Sequence, residues 1–312
     1  MSETEDIWDV LMVGAGPASL SSAIYTTRED LSTVIYEKGV IGGLASTTDW
    51  IDNYPGFAEG VSGLELGEQL QQQAERFGAK IELGEVLGIK DVGKYKIIST
   101  TDGDVKARAV LISTGSDYKR LGIPGEAEYY AKGVHYCATC DGAFYREKRL
   151  VVVGGGNSAV QEAMFLTKYA IHIDLIIRGD KFRASEVLIH ELDKFPMIKV
   201  HMNTTTDEIV GSDGKVTKVV GTNKKTGKKV DFPTDGVFIF IGLLPNTGFL
   251  KDTGIELDEI GLIKTDENLE TNIPGVFCAG DVRSGATMQI ASATGEGATA
   301  ALKIRKYLEK NS

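Results

Sequence analysis

Three cysteines occur in the 312-residue chain, and two of them stand three residues apart in Cys137-Ala138-Thr139-Cys140-Asp141-Gly142. Thiols at that spacing can close a small disulfide ring, and one member of such a pair commonly ionises near neutral pH. Its thiolate can attack a partner's disulfide, and the second thiol can resolve the mixed disulfide. Asp141, beside Cys140, offers a carboxyl group able to shuttle a proton where its environment raises its pKa. A CxxC also reads as half of a structural zinc site, which needs two more ligands. Cys278 and the four scattered histidines show no ligand spacing, so no metal is expected. His135 is placed to tune the cysteines, with a packing role as its alternative. Cys278 reads as a small buried strand residue.

Two glycine turns supply a different chemistry. Gly14-Ala15-Gly16-Pro17-Ala18-Ser19 follows an apolar run and precedes a helical pattern. Such a turn lets a pyrophosphate approach a helix N-terminus, where free N–H groups and the helix dipole favour anions. Glu37 stands about twenty residues on, at the end of the next apolar run, where an acid binds ribose hydroxyls. Ser19 replaces the usual third glycine or alanine and is still small enough for helix–strand packing. Gly154-Gly155-Gly156-Asn157-Ser158-Ala159 repeats the arrangement. Its second strand ends in Arg178-Gly179-Asp180-Lys181-Phe182-Arg183. Arg178 and Arg183 suit the 2′-phosphate of NADPH, whereas Asp180 would serve the 2′-hydroxyl of NADH. Two dinucleotide sites in one chain suit FAD in one and a nicotinamide in the other. Neither turn ends in the Lys-Ser/Thr of a P-loop, which disfavours nucleotide hydrolysis.

The elements that must hold these residues form two similar halves. Each half runs strand, glycine turn, helix, strand: residues 9–13, 17–28 and 33–36 in the first, 150–153, 157–168 and 173–177 in the second. Short polar strands follow, broken by turn pairs at Val92-Gly93 and Asp102-Gly103, then at Asp213-Gly214 and Thr226-Gly227. Each half closes on an apolar strand that ends in glycine, at 109–115 and 237–242. From Pro245 the chain adds one strand at 275–279, Gly280-Asp281, and a final helix from about Gln289. Such a tail completes the first half's sheet. The fold class is therefore α/β with two Rossmann-like dinucleotide-binding domains, the second inserted in the first: residues 1–117 with 246–312, and residues 118–245.

The bulk properties agree. A length of 312 residues suggests two domains. The 37 glycines exceed the usual proportion and call for many tight turns. A net charge of −10 disfavours a nucleic-acid partner. The first residues lack the basic and apolar regions of a signal peptide, and no apolar run approaches a membrane span. A cytoplasmic, membrane-free location is expected.

Taken together, Gly14-Ala-Gly-Pro-Ala, Cys137-Ala-Thr-Cys-Asp-Gly, Gly154-Gly-Gly-Asn-Ser-Ala and Cys278-Ala-Gly-Asp281 resemble the low-molecular-weight thioredoxin reductases over essentially the whole chain. Related two-domain ferredoxin-NADP reductases lack the CxxC. The resemblance implies transfer of electrons from NADPH through FAD to the Cys137–Cys140 disulfide and on to thioredoxin or a thioredoxin-like protein. It implies a homodimer whose second domain rotates on hinges near Asp117 and Pro245. By the same resemblance, Gly14, Gly16, Pro17, Ala18 and Glu37 hold the ADP part of FAD. Gly42, Gly43, Leu44, Asn53, Thr114, Gly115, Gly280, Asp281, Gln289 and Ile290 line the rest of it, with Asp281 on the ribitol chain. Gly154, Gly156, Asn157, Ser158, Arg178 and Arg183 take the nicotinamide dinucleotide. Cys140 faces the flavin, Cys137 attacks thioredoxin, and Asp141 handles the proton.

Three departures temper these expectations. The family's His-Arg-Arg run is Ile177-Arg178-Gly179 here, which removes a cationic contact and leaves NADH possible. The family's Arg-Gln pair is Met288-Gln289, and Ser19 interrupts the glycine pattern. Other readings are an FAD-dependent dithiol oxidase working with oxygen, a reductase fed by NADH or ferredoxin, and a non-enzymatic FAD-binding module.

Overall fold

The apolar run at the start of the chain forms a strand, Ile7–Val13, which is the centre of a seven-stranded sheet in the computed structural model, where residues 7–48 and 50–311 are described. Thr33–Glu37 and Gly103–Ile112 flank it in parallel, Lys80–Leu83 continues beyond the first, and Val276–Cys278 pairs parallel to the second. The late strand thus completes the early sheet. Val86–Asp91 and Lys96–Thr100 extend the sheet antiparallel. Side chains alternate across a strand, so the run buries both faces. Val10 and Met12 pack with the helices Pro17–Arg28, Gly63–Arg76 and Ile290–Lys310. Leu11 and Val13 pack with Val86, Ile89 and Ile98.

The second half repeats the logic. Its parallel sheet has the order Ile198–His201, His172–Ile176, Arg149–Val153, Gly236–Ile239, Val134–His135. Leu150 and Val152 face the helix Asn157–Leu166 through Val160, Ala163 and Leu166. Val151 and Val153 face Ile209, Val219 and Phe232 of a three-stranded antiparallel sheet. The Asp213-Gly214 and Thr226-Gly227 turns join the strands of that sheet.

Two compact units result: Met1–Asp117 with Leu244–Ser312, and Tyr118–Leu243. The two chain crossings between them, Ser116–Tyr118 and Leu243–Pro245, pair as a two-stranded sheet that hydropathy alone did not suggest. Among the described residues, no helix is long and apolar enough to cross a membrane.

Ser19 illustrates how the fold absorbs a departure from pattern. It is fully buried, and its hydroxyl shares a 2.8 Å hydrogen bond with the Ser113 hydroxyl at the end of the adjoining strand. Ser19→Ala strips a buried hydroxyl of its partner, and should lower unfolding free energy in urea by about 1–2 kcal/mol.

Candidate active site

In each unit the glycine turn and its companions gather at the carboxyl ends of the parallel strands, where open α/β sheets bind ligands. In the first unit, Gly14 has φ +93°, and a Cβ there would lie 2.7 Å from the Ser113 carbonyl oxygen, so the turn admits only glycine. At Gly16 the nearest atom to such a Cβ is 4.0 Å away, so the space before the helix Pro17–Arg28 is open. That helix has no side-chain cap. The N–H groups of a first helical turn have no intrahelical partner, so those of Ala18 and Ser19 are available to an anion.

Glu37 braces the turn. One carboxylate oxygen accepts from Ala15 N–H at 2.6 Å and the other from Gly39 N–H at 2.7 Å. Gly42 N–H donates to the Ala15 carbonyl, which sets Gly43 beside Gly16, and Leu44, next in the chain, is exposed. Thr114 and Gly115 are tied to Asn246 by three hydrogen bonds of 2.8–3.1 Å. Asn53 and Gln289, far apart in sequence, meet through a 3.1 Å side-chain hydrogen bond, with Gln289 at the N-cap of the helix that begins at Ile290.

Asp281 follows the strand Val276–Cys278, and its backbone carbonyl accepts from the Ser116 hydroxyl at 2.7 Å. Its side chain differs from those around it. Oδ1 is buried and has no hydrogen-bond partner within the described residues. Burial, reinforced by the nearby Glu296 carboxylate, pushes the Asp281 carboxyl up to about 6. Gly280 N–H and the Arg283 guanidinium both donate to Glu296, so the turn that presents Asp281 is fixed from behind.

In the second unit, Gly154 has φ +147° and a Cβ there would meet the Phe240 carbonyl oxygen at 2.3 Å. Gly156 faces open space and the helix Asn157–Leu166 has no side-chain cap. The Asn157 side chain accepts from Ser185 N–H at 2.9 Å, and the Gly155 carbonyl accepts from Arg183 N–H at 2.7 Å. These bonds draw the segment bearing Arg183 over the start of the helix at Asn157. Arg178 and Arg183 are exposed, and neither makes an ion pair among the described residues.

Cys137 and Cys140 form a disulfide, with Cα atoms 5.3 Å apart. They follow the short edge strand Val134–His135, whose carboxyl end lies on the same sheet edge as Gly154. Cys137 caps the helical turn Ala138–Asp141, its sulfur accepting from Cys140 N–H at 3.2 Å. Cys140 is exposed and Cys137 partly so. Asp141 Oδ2 lies 3.2 Å from His135 Nδ1. Cys278 is fully buried, which pushes its thiol far above the ordinary range and leaves it chemically inert, as the residue pattern implied.

Known proteins resemble the chain over nearly its whole length. Residues 8–297 match the family model described as pyridine nucleotide-disulphide oxidoreductase. The chain belongs to this family. A thioredoxin reductase of Bacillus subtilis is 42% identical over 99% of this chain and 97% of its own length. The crystal structure of thioredoxin reductase from Streptococcus pyogenes superposes with a TM-score of 0.94 at 41% identity, covering 98% of this chain and all of that one. Thioredoxin reductase from Giardia duodenalis gives 0.92 at 34%, covering 97% and 99%.

As a pyridine nucleotide-disulphide oxidoreductase, the chain carries supports that the residue pattern did not reveal. Asn246, Ser113, Glu296 and Arg283 brace the turns that carry Thr114, Gly115 and Asp281. Ser113, Asn246 and Arg283 lie within two residues of sequence signals, whereas Glu296 sits in the final helix with no signal of its own.

Proposed function

We propose that this chain is a thioredoxin reductase, passing two electrons from NADPH through FAD to the Cys137–Cys140 disulfide and then to oxidised thioredoxin or a thioredoxin-like protein. The observation that carries the reading is the disulfide on the same sheet edge as one glycine-turn cradle, in a chain with a second such cradle. The curated relatives named above add the substrate class. FAD supplies the two-electron link between a nicotinamide and a disulfide when bound.

The unit Met1–Asp117 with Leu244–Ser312 takes FAD, and Tyr118–Leu243 takes NADPH. The residues fit both groups. The uncapped turn at Gly16 suits a pyrophosphate, and the unpartnered Asp281 Oδ1 is an acceptor for a ribitol hydroxyl. Gly14, Gly16, Pro17, Ala18 and Glu37 hold the adenosine diphosphate part. Gly42, Gly43, Leu44, Asn53, Thr114, Gly115, Gly280, Gln289 and Ile290 line the remainder. Gly154, Gly156, Asn157 and Ser158 hold the nicotinamide dinucleotide's phosphates, and Arg178 with Arg183 its 2′-phosphate.

In the protein's reduced state, Cys137 thiolate attacks a sulfur of the thioredoxin disulfide. Asp141 takes the Cys140 proton, Cys140 attacks Cys137 Sγ, and the reduced partner leaves. The paired crossings Ser116–Tyr118 and Leu243–Pro245 serve as hinges, and the enzyme works as a cytoplasmic homodimer. The intact Gly154 turn favours a nicotinamide donor over the oxygen-linked oxidase or ferredoxin-fed alternatives.

Anaerobic titration of the flavin-loaded protein with NADPH and with NADH tests the reading. NADPH should bleach the flavin and raise two thiols, and added thioredoxin should consume them. Bleaching without thiols, or thiols that thioredoxin leaves untouched, refutes it. Arg178→Gln with Arg183→Gln should raise KM for NADPH at least about tenfold while leaving KM for NADH within about twofold. An equal change for both nucleotides places the 2′-phosphate elsewhere.

A further inference from the structure

Beside the CxxC, Tyr145, His135 and Asp141 form a chain of polar contacts. His135 is buried, with its ring stacked on Phe238 at 5.2 Å and met edge-on by Tyr145 at 5.3 Å. Both ring nitrogens are engaged: Nδ1 lies 3.2 Å from Asp141 Oδ2, and Nε2 lies 2.7 Å from the Tyr145 hydroxyl. A carboxylate only accepts, so Nδ1 carries the proton, and in the neutral ring Nε2 accepts from the phenol.

The direction of the chain is supported from the Tyr145 end. Burial, with the carboxylates of Asp141 and Asp235 nearby, pushes the phenol well up, so it stays an O–H donor. The order is Tyr145 O–H to His135 Nε2, then His135 Nδ1–H to Asp141 Oδ2. Asp141 Oδ1 accepts no hydrogen bond among the described residues and is left for chemistry.

We propose that His135, oriented by Tyr145, is the positioning residue for Asp141: it pins one carboxylate oxygen so that the other faces the proton of the Cys140 thiol. This rests on the proton-handling role proposed above for Asp141. The step it serves is balanced. The Cys140 S–H proton passes to the Asp141 carboxylate, Cys140 sulfur bonds to Cys137 sulfur, the Cys137–substrate S–S bond breaks, and the substrate sulfur leaves as thiolate. The mixed disulfide is reduced to a thiolate, and the cysteine pair is oxidised.

The two amides that can replace histidine separate positioning from packing. Asn places its N–H₂ where Nδ1–H stands, and Gln places it where Nε2 stands. The holoprotein, reduced with excess dithiol and desalted anaerobically, is mixed in stopped flow with an aromatic disulfide whose thiolate is coloured. The second of the two thiolates released reports the Cys140 step. Asp141→Asn should slow it about 10²-fold. His135→Gln should slow it about tenfold and His135→Asn less than about threefold, because only Asn keeps the donor to Asp141. Tyr145→Phe, which leaves the packing in place, should slow it about threefold. The first release should stay within about twofold in the His135 and Tyr145 variants. Equal slowing by His135→Asn and His135→Gln, or a wild-type rate in both the His135→Gln and Tyr145→Phe proteins, overturns the proposal. A wild-type rate in Asp141→Asn instead removes the role of Asp141 on which it rests.

Discussion

Cys137→Ser should lose at least about 10³-fold in NADPH-driven reduction of thioredoxin, while its flavin is still bleached by NADPH. A hydroxyl at that position cannot open a disulfide, and residues that act as a unit lose nearly everything when one is removed. The partner substitution should behave differently. In Cys140→Ser the attacking thiol survives but nothing resolves the adduct, so a covalent Cys137–thioredoxin species should accumulate and be released by added dithiol. Electrophoresis without reductant reads this directly. The roles assigned to the two sulfurs are reversed if the adduct forms in Cys137→Ser and not in Cys140→Ser. The exposure of Cys140 and the partial exposure of Cys137 leave both sulfurs within reach, so burial does not decide the order of attack.

Asp281→Asn should act with opposite signs on the two states of the protein. Its carboxyl is raised by burial and by Glu296 from 3.8 to about 6. A group whose folded value lies above its unfolded value destabilises the fold wherever it is ionised. The penalty is about 3 kcal/mol above pH 6, fades as the pH falls from 6 to 4, and is absent below. Stripped of flavin, the wild-type protein should therefore gain stability from this group on acidification through that window. The Asn variant should lack that gain, and at pH 7.5 should be about 2–3 kcal/mol more stable than wild type in urea. Its affinity for FAD should fall at least about tenfold, because a charge-assisted hydrogen bond is replaced by a neutral one. Urea melts at pH 7.5 and 4.5 and a flavin fluorescence titration check both halves. Unchanged FAD affinity would mean that the unpartnered oxygen serves something other than the cofactor.

Both predictions concern residues that the sequence singled out, and the second depends on a neighbour, Glu296, that it did not. The two glycine turns, the acid at Glu37 and the CxxC are local signals, because steric limits on a tight turn and the reach of two thiols act over a few residues. The repeated strand–turn–helix–strand order and the late strand that completes the first sheet were likewise legible, because apolar periodicity records which faces must be buried. The edge strand Val134–His135 was not, since two residues carry no period. Nor was the ribbon of Ser116–Tyr118 with Leu243–Pro245, whose partners are more than a hundred residues apart.

The sequence by itself determined the chemistry: a redox-active cysteine pair, an acid beside it, and two places for a dinucleotide. Only the tertiary structure decided the surroundings. Ser19, small enough for its place in the motif, gains its hydrogen-bond partner Ser113 only on folding. Asp281 became informative because folding buried one of its oxygens without a partner. His135, placed in sequence with both packing and tuning open to it, meets Asp141 and Tyr145 because the strand, the helical turn and the following turn converge there. Hydrogen bonds and burial depend on distances between segments, and those distances do not exist until the sheets have formed.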